Sequence, residues 1–239
     1  MRTLLSLVLL AFVAAGASAQ DAPADTLVLS PGDGTLTTDW LEAGSRTYTV
    51  RLVAPMRRDV GTATETTTIA DGVVTRVTEV SIPMQGITQV DSVVADAATL
   101  APRAHVSTGG AVEASLEFMP EGVVGMVTPQ SGEATTVTLM TDAPVFDGAW
   151  AGDVAQSLPL VEGTVARMPA FMAQAPEDAF DILLTVGAQE MRDERAVWPV
   201  EAEMGPMTMT YTVDAETREL LTTQFQPQPG VTIEIAPTD

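Results

Sequence analysis

Apolar and polar positions alternate with a period of two along most of this chain. In the stretch 207–214, Met207, Met209, Tyr211 and Val213 fall on one side. Thr208, Thr210, Thr212 and Asp214 fall on the other, so the stretch reads as a strand with one dry and one wet face. Asp214-Ala215-Glu216-Thr217 supplies turn chemistry, and 218–225 returns as the partner strand. The stretch 89–102 repeats the device: Asp96-Ala97-Ala98-Thr99 follows a β-rich run, and a leucine comes soon after each turn, Leu100 in one and Leu220 in the other. The same hairpin type is therefore used at least twice.

The remaining strands follow from the same alternation. A first short strand is predicted over 26–30, then a Pro31-Gly32-Asp33-Gly34 turn and an irregular or helical piece at Asp39-Trp40-Leu41-Glu42. Residues 46–53 set Tyr48, Val50 and Leu52 on one face. The Thr-rich run 60–69 has high β propensity but no apolar stripe, which puts it near an edge or widely open to solvent. Asp71-Gly72 between that run and 73–82 is a strong hairpin signal. Strands 87–95, 102–107, 111–119, 123–127 and 134–140 follow with short turns. Later strands are predicted over 160–171, 179–190, 195–204 and 231–235, with Pro199 marking an edge or a bulge.

The period changes once. In 146–158, Trp150, Val154 and Leu158 recur at i, i+4 and i+8, one apolar helical stripe that Pro159 ends. Gly148 and Gly152 weaken the helix, so it is predicted to be short and to pack on the concave face of a sheet. The fold class is all-β: a curved antiparallel sheet or open half-barrel around one short helix. An outer-membrane barrel would carry aromatic girdles, and aromatics make up only 5% of this chain.

The first residues differ in kind. Arg2 precedes an apolar run, Leu4 to Ala15, and Ala17-Ser18-Ala19 has the small-x-small form of a signal-peptidase site. Residues 1–19 are read as a signal peptide cleaved after Ala19. Residues 20–239 are read as a single exported β domain, periplasmic or secreted, with no integral membrane segment after cleavage. The chain has no Cys, so the fold relies on burial rather than disulfides.

A net charge of −21 repels nucleic acid and anionic membranes, so nucleic acid is not an expected partner. The acids are scattered, and a solubility surface for a salty environment is favoured over a cation-binding role.

Little catalytic chemistry is visible. His105 is the single histidine, no G-x-S-x-G or phosphate-binding loop occurs, and His105 is read as a strand residue facing water or a backbone partner. Asp33, Asp39 and Glu42 lack calcium-loop spacing. The twelve Met residues, Met204, Met207 and Met209 among them, suit core packing better than copper. No catalytic residue, metal ligand or cofactor is assigned, and the chain is read as not an enzyme.

Five separated pieces carry a resemblance: Leu158-Pro159-Leu160, Glu162-Gly163, Trp198 with Val200 and Glu201, Tyr211-Thr212-Val213-Asp214, and Thr217-Arg218. With the hairpin 91–103, they resemble bacterial envelope proteins of unknown function. Such domains are similar in shape to periplasmic lipoprotein carriers of the LolA/LolB type, half-barrels with an apolar concave face. The resemblance implies a hydrophobic-ligand site and no catalytic residues. If that face is an open pocket, Trp150, Phe171, Ile182, Leu184, Trp198, Met207, Met209 and Tyr211 line it, and a lipid or lipoprotein is the partner. The alternative is a structural or protein-interaction module whose core the helix fills. A carboxylate-based hydrolase is the third and least supported reading.

Overall fold

A computed structural model describes residues 25–238. The signal-peptide assignment at 1–19 lies outside the described residues. Among them, two antiparallel runs build one open sheet of 17 strands. The first run is β2 (Gly44–Ala54), β3 (Arg58–Ala70), β4 (Val73–Ile82), β5 (Ile87–Asp96), β6 (Pro102–Thr108), β7 (Val112–Met119), β8 (Gly122–Pro129) and β9 (Thr135–Met140). Each pairs with the next, and β9 forms one edge.

The second run is β11 (Val165–Phe171), β12 (Phe180–Val186), β13 (Glu190–Arg192), β14 (Arg195–Met204), β15 (Met207–Asp214), β16 (Leu220–Gln228) and β17 (Val231–Pro237). The short strands β1 (Leu27–Val28) and β10 (Phe146–Asp147) add to β11 in parallel. The two runs are joined where β17 pairs antiparallel with β2, Ile235 opposite Val50. The last strand of the chain thus lies in the middle of the sheet.

Between the runs comes a single turn of 3₁₀ helix, Gly148–Trp150, which leads directly into α1 (Ala151–Ser157). The predicted stripe holds: Trp150, Val154 and Leu158 are fully buried. The helix is shorter than the pattern 146–158 because Phe146 and Asp147 pair with β11 instead. The sheet curves around α1, so the core takes residues from both runs: Val74 and Val93 from one, Ile182, Leu184 and Val200 from the other.

Local chemistry explains several joints. Asp71 and Gly72 both have positive φ, 52° and 74°, as a two-residue hairpin turn requires. The strand β3 is central rather than at an edge, but its solvent-facing threonines are largely exposed, in line with its missing apolar stripe. Pro199 is also central. It lies where the partner strand breaks between Val186, opposite Val200, and Glu190, opposite Val197, so its missing N–H leaves no gap in a continuous ladder.

The two D-A-x-T turns are built alike. Asp96 Oδ1 accepts from the amides of Ala98 and Thr99. Asp214 Oδ1 accepts from those of Glu216 and Thr217. Each turn then places its fifth residue at positive φ, Leu100 at 54° and Arg218 at 62°. The first buries Leu100 in the core, and the second aims Arg218 at the helix.

Candidate functional site

A period of two on an antiparallel sheet makes cross-strand rows, and two of these rows organise the interior. Thr67, Arg76, Val93, His105 and Leu116 stand opposite one another across β3 to β7. In the neighbouring row, Arg46, Glu65, Thr78, Asp91 and Ser107 do the same across β2 to β6. Both rows place charged groups on a face that also supplies the core. The helical segment provides their partners.

Arg76 pairs with Asp153 of α1, donates to the Ala149 carbonyl at 2.8 Å, and lies over the Trp150 ring 4.5 Å from its centroid. Glu65 approaches from the next row at 3.7 Å. Burial alone would lower the Arg76 pKa, but Asp153 and Glu65 raise it, so the guanidinium stays charged. Burial pushes the Asp153 carboxyl up to about 6 against the pull of Arg76.

His105 corrects the reading of a residue facing water or backbone. It is only 7% exposed, with Nδ1 2.9 Å from Asp147 Oδ2 and Nε2 3.6 Å from Asp91 Oδ1. Neither ring nitrogen meets hydrogen-bond geometry, so the contacts are ionic. Burial would lower the His105 pKa, but Asp147 and Asp91 raise it to about 10. Asp147 also caps the 3₁₀ turn, its Oδ1 accepting from Ala149 N at 3.0 Å.

The C-terminal end of α1 is held as closely. Arg218 Nη1 donates to the carbonyls of Gln156 and Leu158, and Thr37 N donates to that of Ser157. A cation on these carbonyls satisfies groups the helix cannot satisfy itself and complements its dipole. Trp40 Nε1 donates to Ser157 Oγ at 3.1 Å and ties the 37–43 segment to the same end.

These ties leave α1 against one side of the curved sheet and an open cleft of about 790 Å³ on the other. The sheet supplies an apolar floor of Tyr48, Ala63, Val80 and Ile235. Trp40 and Leu41 of the segment tied to the end of α1 also line it, as do the charged Arg46, Glu65, Arg76 and Asp153. Thr223 also lines the cleft, is 9% exposed, and donates its hydroxyl to no described residue.

The side chains predicted to line a pocket are placed elsewhere. Trp150, Ile182, Leu184 and Tyr211 are buried in the main core, and Trp198, Met207 and Met209 pack against it. Phe171 belongs to a second cluster beneath β7 to β9, edge-on to Phe118. None of the eight lines the cleft. The cleft residues Tyr48 and Val80 were visible only as members of ordinary strands. Their convergence depends on the β17–β2 pairing and on the curvature of the sheet, and local periodicity reports neither. The one local hint was the irregular piece at Asp39 to Glu42, which forms the cleft mouth.

Asp33, considered above with Asp39 and Glu42, accepts from the amides of Ser30 and Thr35 and closes a turn. Among the described residues, no group of three or more His, Cys, Asp or Glu converges as a metal site would. No described helix is long and apolar enough to cross a membrane.

No curated protein matches the chain. Residues 35–235, which run from the segment before the cleft mouth to the floor residue Ile235, match a family profile, and the chain belongs to the DUF3108 family, proteins of unknown function.

Proposed function

We propose that this is a non-catalytic protein of the bacterial cell envelope whose cleft binds a hydrophobic ligand or the acyl portion of a lipidated partner. The observation that carries this reading is the 790 Å³ cleft beside α1, with its apolar floor of Tyr48, Ala63, Val80 and Ile235. Its size falls in the range of small-molecule sites, roughly 300–1,000 Å³. The open sheet around one helix also resembles in shape the half-barrel of the LolA/LolB-type carriers. The leader-like stretch 1–19 supports export to the periplasm or beyond. The ligand is assigned to the cleft rather than to the packed side around Trp150.

Native mass spectrometry of protein purified without detergent tests the reading. A co-purified apolar adduct, or 1:1 uptake of the neutral probe N-phenyl-1-naphthylamine, is the expected result. A clean apo mass with no uptake would contradict it.

A second reading has its own support. The space between α1 and strands β11 to β15 is filled by Trp150, Val154, Met168 and Leu184, as in an interaction module with a solid core. In that case cross-linking in the envelope recovers a protein partner and the cleft stays empty.

A further inference from the structure

The lining of the cleft divides its charges unevenly. All three guanidinium groups that line it are already engaged. Arg76 is paired with Asp153 and Glu65, Arg46 with Glu219 at 3.2 Å, and Arg218 is bonded to the α1 carbonyls. Among the described residues, no lining cation is left over for an anionic head group. On the acid side, Asp39, Glu42 and Glu216 line the cleft and have no ion-pair partner among the described residues.

Two aromatic rings share the lining, Trp40 and Tyr48. The Trp40 indole N–H is anchored on Ser157, which fixes the ring beside Asp39 and Glu42 in the chain. An aromatic face next to carboxylates is the chemistry that recognises ammonium groups. Thr223, a residue nine-tenths buried, adds to the cleft lining a hydroxyl with no partner among the described residues. Such a group in a cleft is satisfied by a polar ligand atom or by water.

We propose that the cleft selects a cationic amphiphile, an ammonium head on an aliphatic chain. The head sits at the mouth among Asp39, Glu42 and Trp40. The chain lies on Tyr48, Ala63, Val80 and Ile235. This deepens the proposed hydrophobic-ligand function and rests on it.

The test uses the full mature chain and three probes of equal tail length, each below its micelle concentration. These are dodecyltrimethylammonium, dodecanoate and dodecanol, followed by displacement of N-phenyl-1-naphthylamine in low and in 0.5 M salt. The expected result is that the ammonium probe binds at least about tenfold more tightly than dodecanoate, and that the preference persists in high salt. Long-range attraction to the net charge of −21 would be screened there.

The double variant Asp39→Asn, Glu42→Gln alters only exposed side chains at the mouth. It should remove most of the ammonium preference and leave dodecanol binding unchanged. Equal binding of all three probes would overturn the head-group inference while leaving the hydrophobic cleft intact. An ammonium preference that the double variant does not reduce would also overturn it, because the selectivity would then lie outside the mouth. Binding of none of the three would overturn both this inference and the function it rests on.

Discussion

The Nδ1 atom of His105 on β6 lies 2.9 Å from Oδ2 of Asp147, the residue that caps the turn leading into α1. This contact and the Arg76–Asp153 pair, both made from one cross-strand row, fasten the helical segment to the first run of strands. The helix is otherwise a short element that could not persist alone. These ionic contacts, together with its buried apolar stripe and the Arg218 hydrogen bonds, set where α1 sits, and the position of α1 decides which part of the interior remains open.

The first consequence is a pH dependence. His105 has a folded pKa of about 10, above its unfolded value near 6.5, so folding favours the protonated ring. Its stabilising contribution is complete below about pH 6.5, declines between the two values, and is gone above about pH 10. Urea unfolding at pH 6 and pH 9.5 should show a lower midpoint at the higher pH. His105→Gln should lower stability at pH 6 by about 3 kcal/mol, since two carboxylates lose their cation, and should flatten the slope. An unchanged slope in the variant would assign the pH dependence to other groups.

Arg76 and Asp153 should respond asymmetrically to substitution. Asp153→Ala takes from the buried Arg76 guanidinium its paired carboxylate and leaves it the Ala149 carbonyl and the more distant Glu65, and breaking such a pair costs about 3–5 kcal/mol. Changing both, with Arg76→Met and Asp153→Leu, replaces the pair with apolar groups and should cost less than Asp153→Ala alone. Denaturant midpoints of the single and double variants measure this. A double variant weaker than the single one would show that the pair contributes net stability beyond mutual neutralisation.

Arg218 combines a strained backbone with a useful side chain. Its φ of 62° is unfavourable for a residue with a Cβ, while its guanidinium holds the carbonyls of Gln156 and Leu158. Arg218→Ala keeps the strain and loses both bonds, and should cost about 2 kcal/mol. Arg218→Gly also loses the bonds but relieves the backbone, and should recover about 1 kcal/mol relative to alanine. Thermal unfolding of the two variants separates the terms. Equal stabilities would mean that the left-handed backbone costs nothing here.

The strands and their turns were legible because their signals are local. Asp71-Gly72, the two D-A-x-T turns and the Trp150, Val154, Leu158 stripe each work through neighbours within one turn or one hairpin. What sequence could not supply was long-range pairing. Nothing in 231–237 indicates that β17 seats against β2, and nothing around His105 indicates that Asp91 and Asp147 will flank it. The apolar alternation of Met207, Met209 and Tyr211 marked an inward face correctly. Alternation does not distinguish an inward face that meets a helix from one that meets a cleft, and these three meet the side that α1 fills. The open side was carried by residues such as Arg46, Glu65 and Thr78. Their polar character reads as solvent-facing until the curvature of the sheet is known.

The central claim is that the cleft beside α1 is a ligand site. The most direct measurement is a titration of N-phenyl-1-naphthylamine into the wild-type chain and into Thr67→Trp, which places an indole in the cleft from the row shared with Arg76. A urea-unfolding free energy within about 1 kcal/mol of wild type would establish that the variant is folded. Saturable 1:1 binding to the wild type, weakened at least about tenfold in the folded variant, is the expected result. Binding of equal strength in both, or no binding by the wild type, would contradict it.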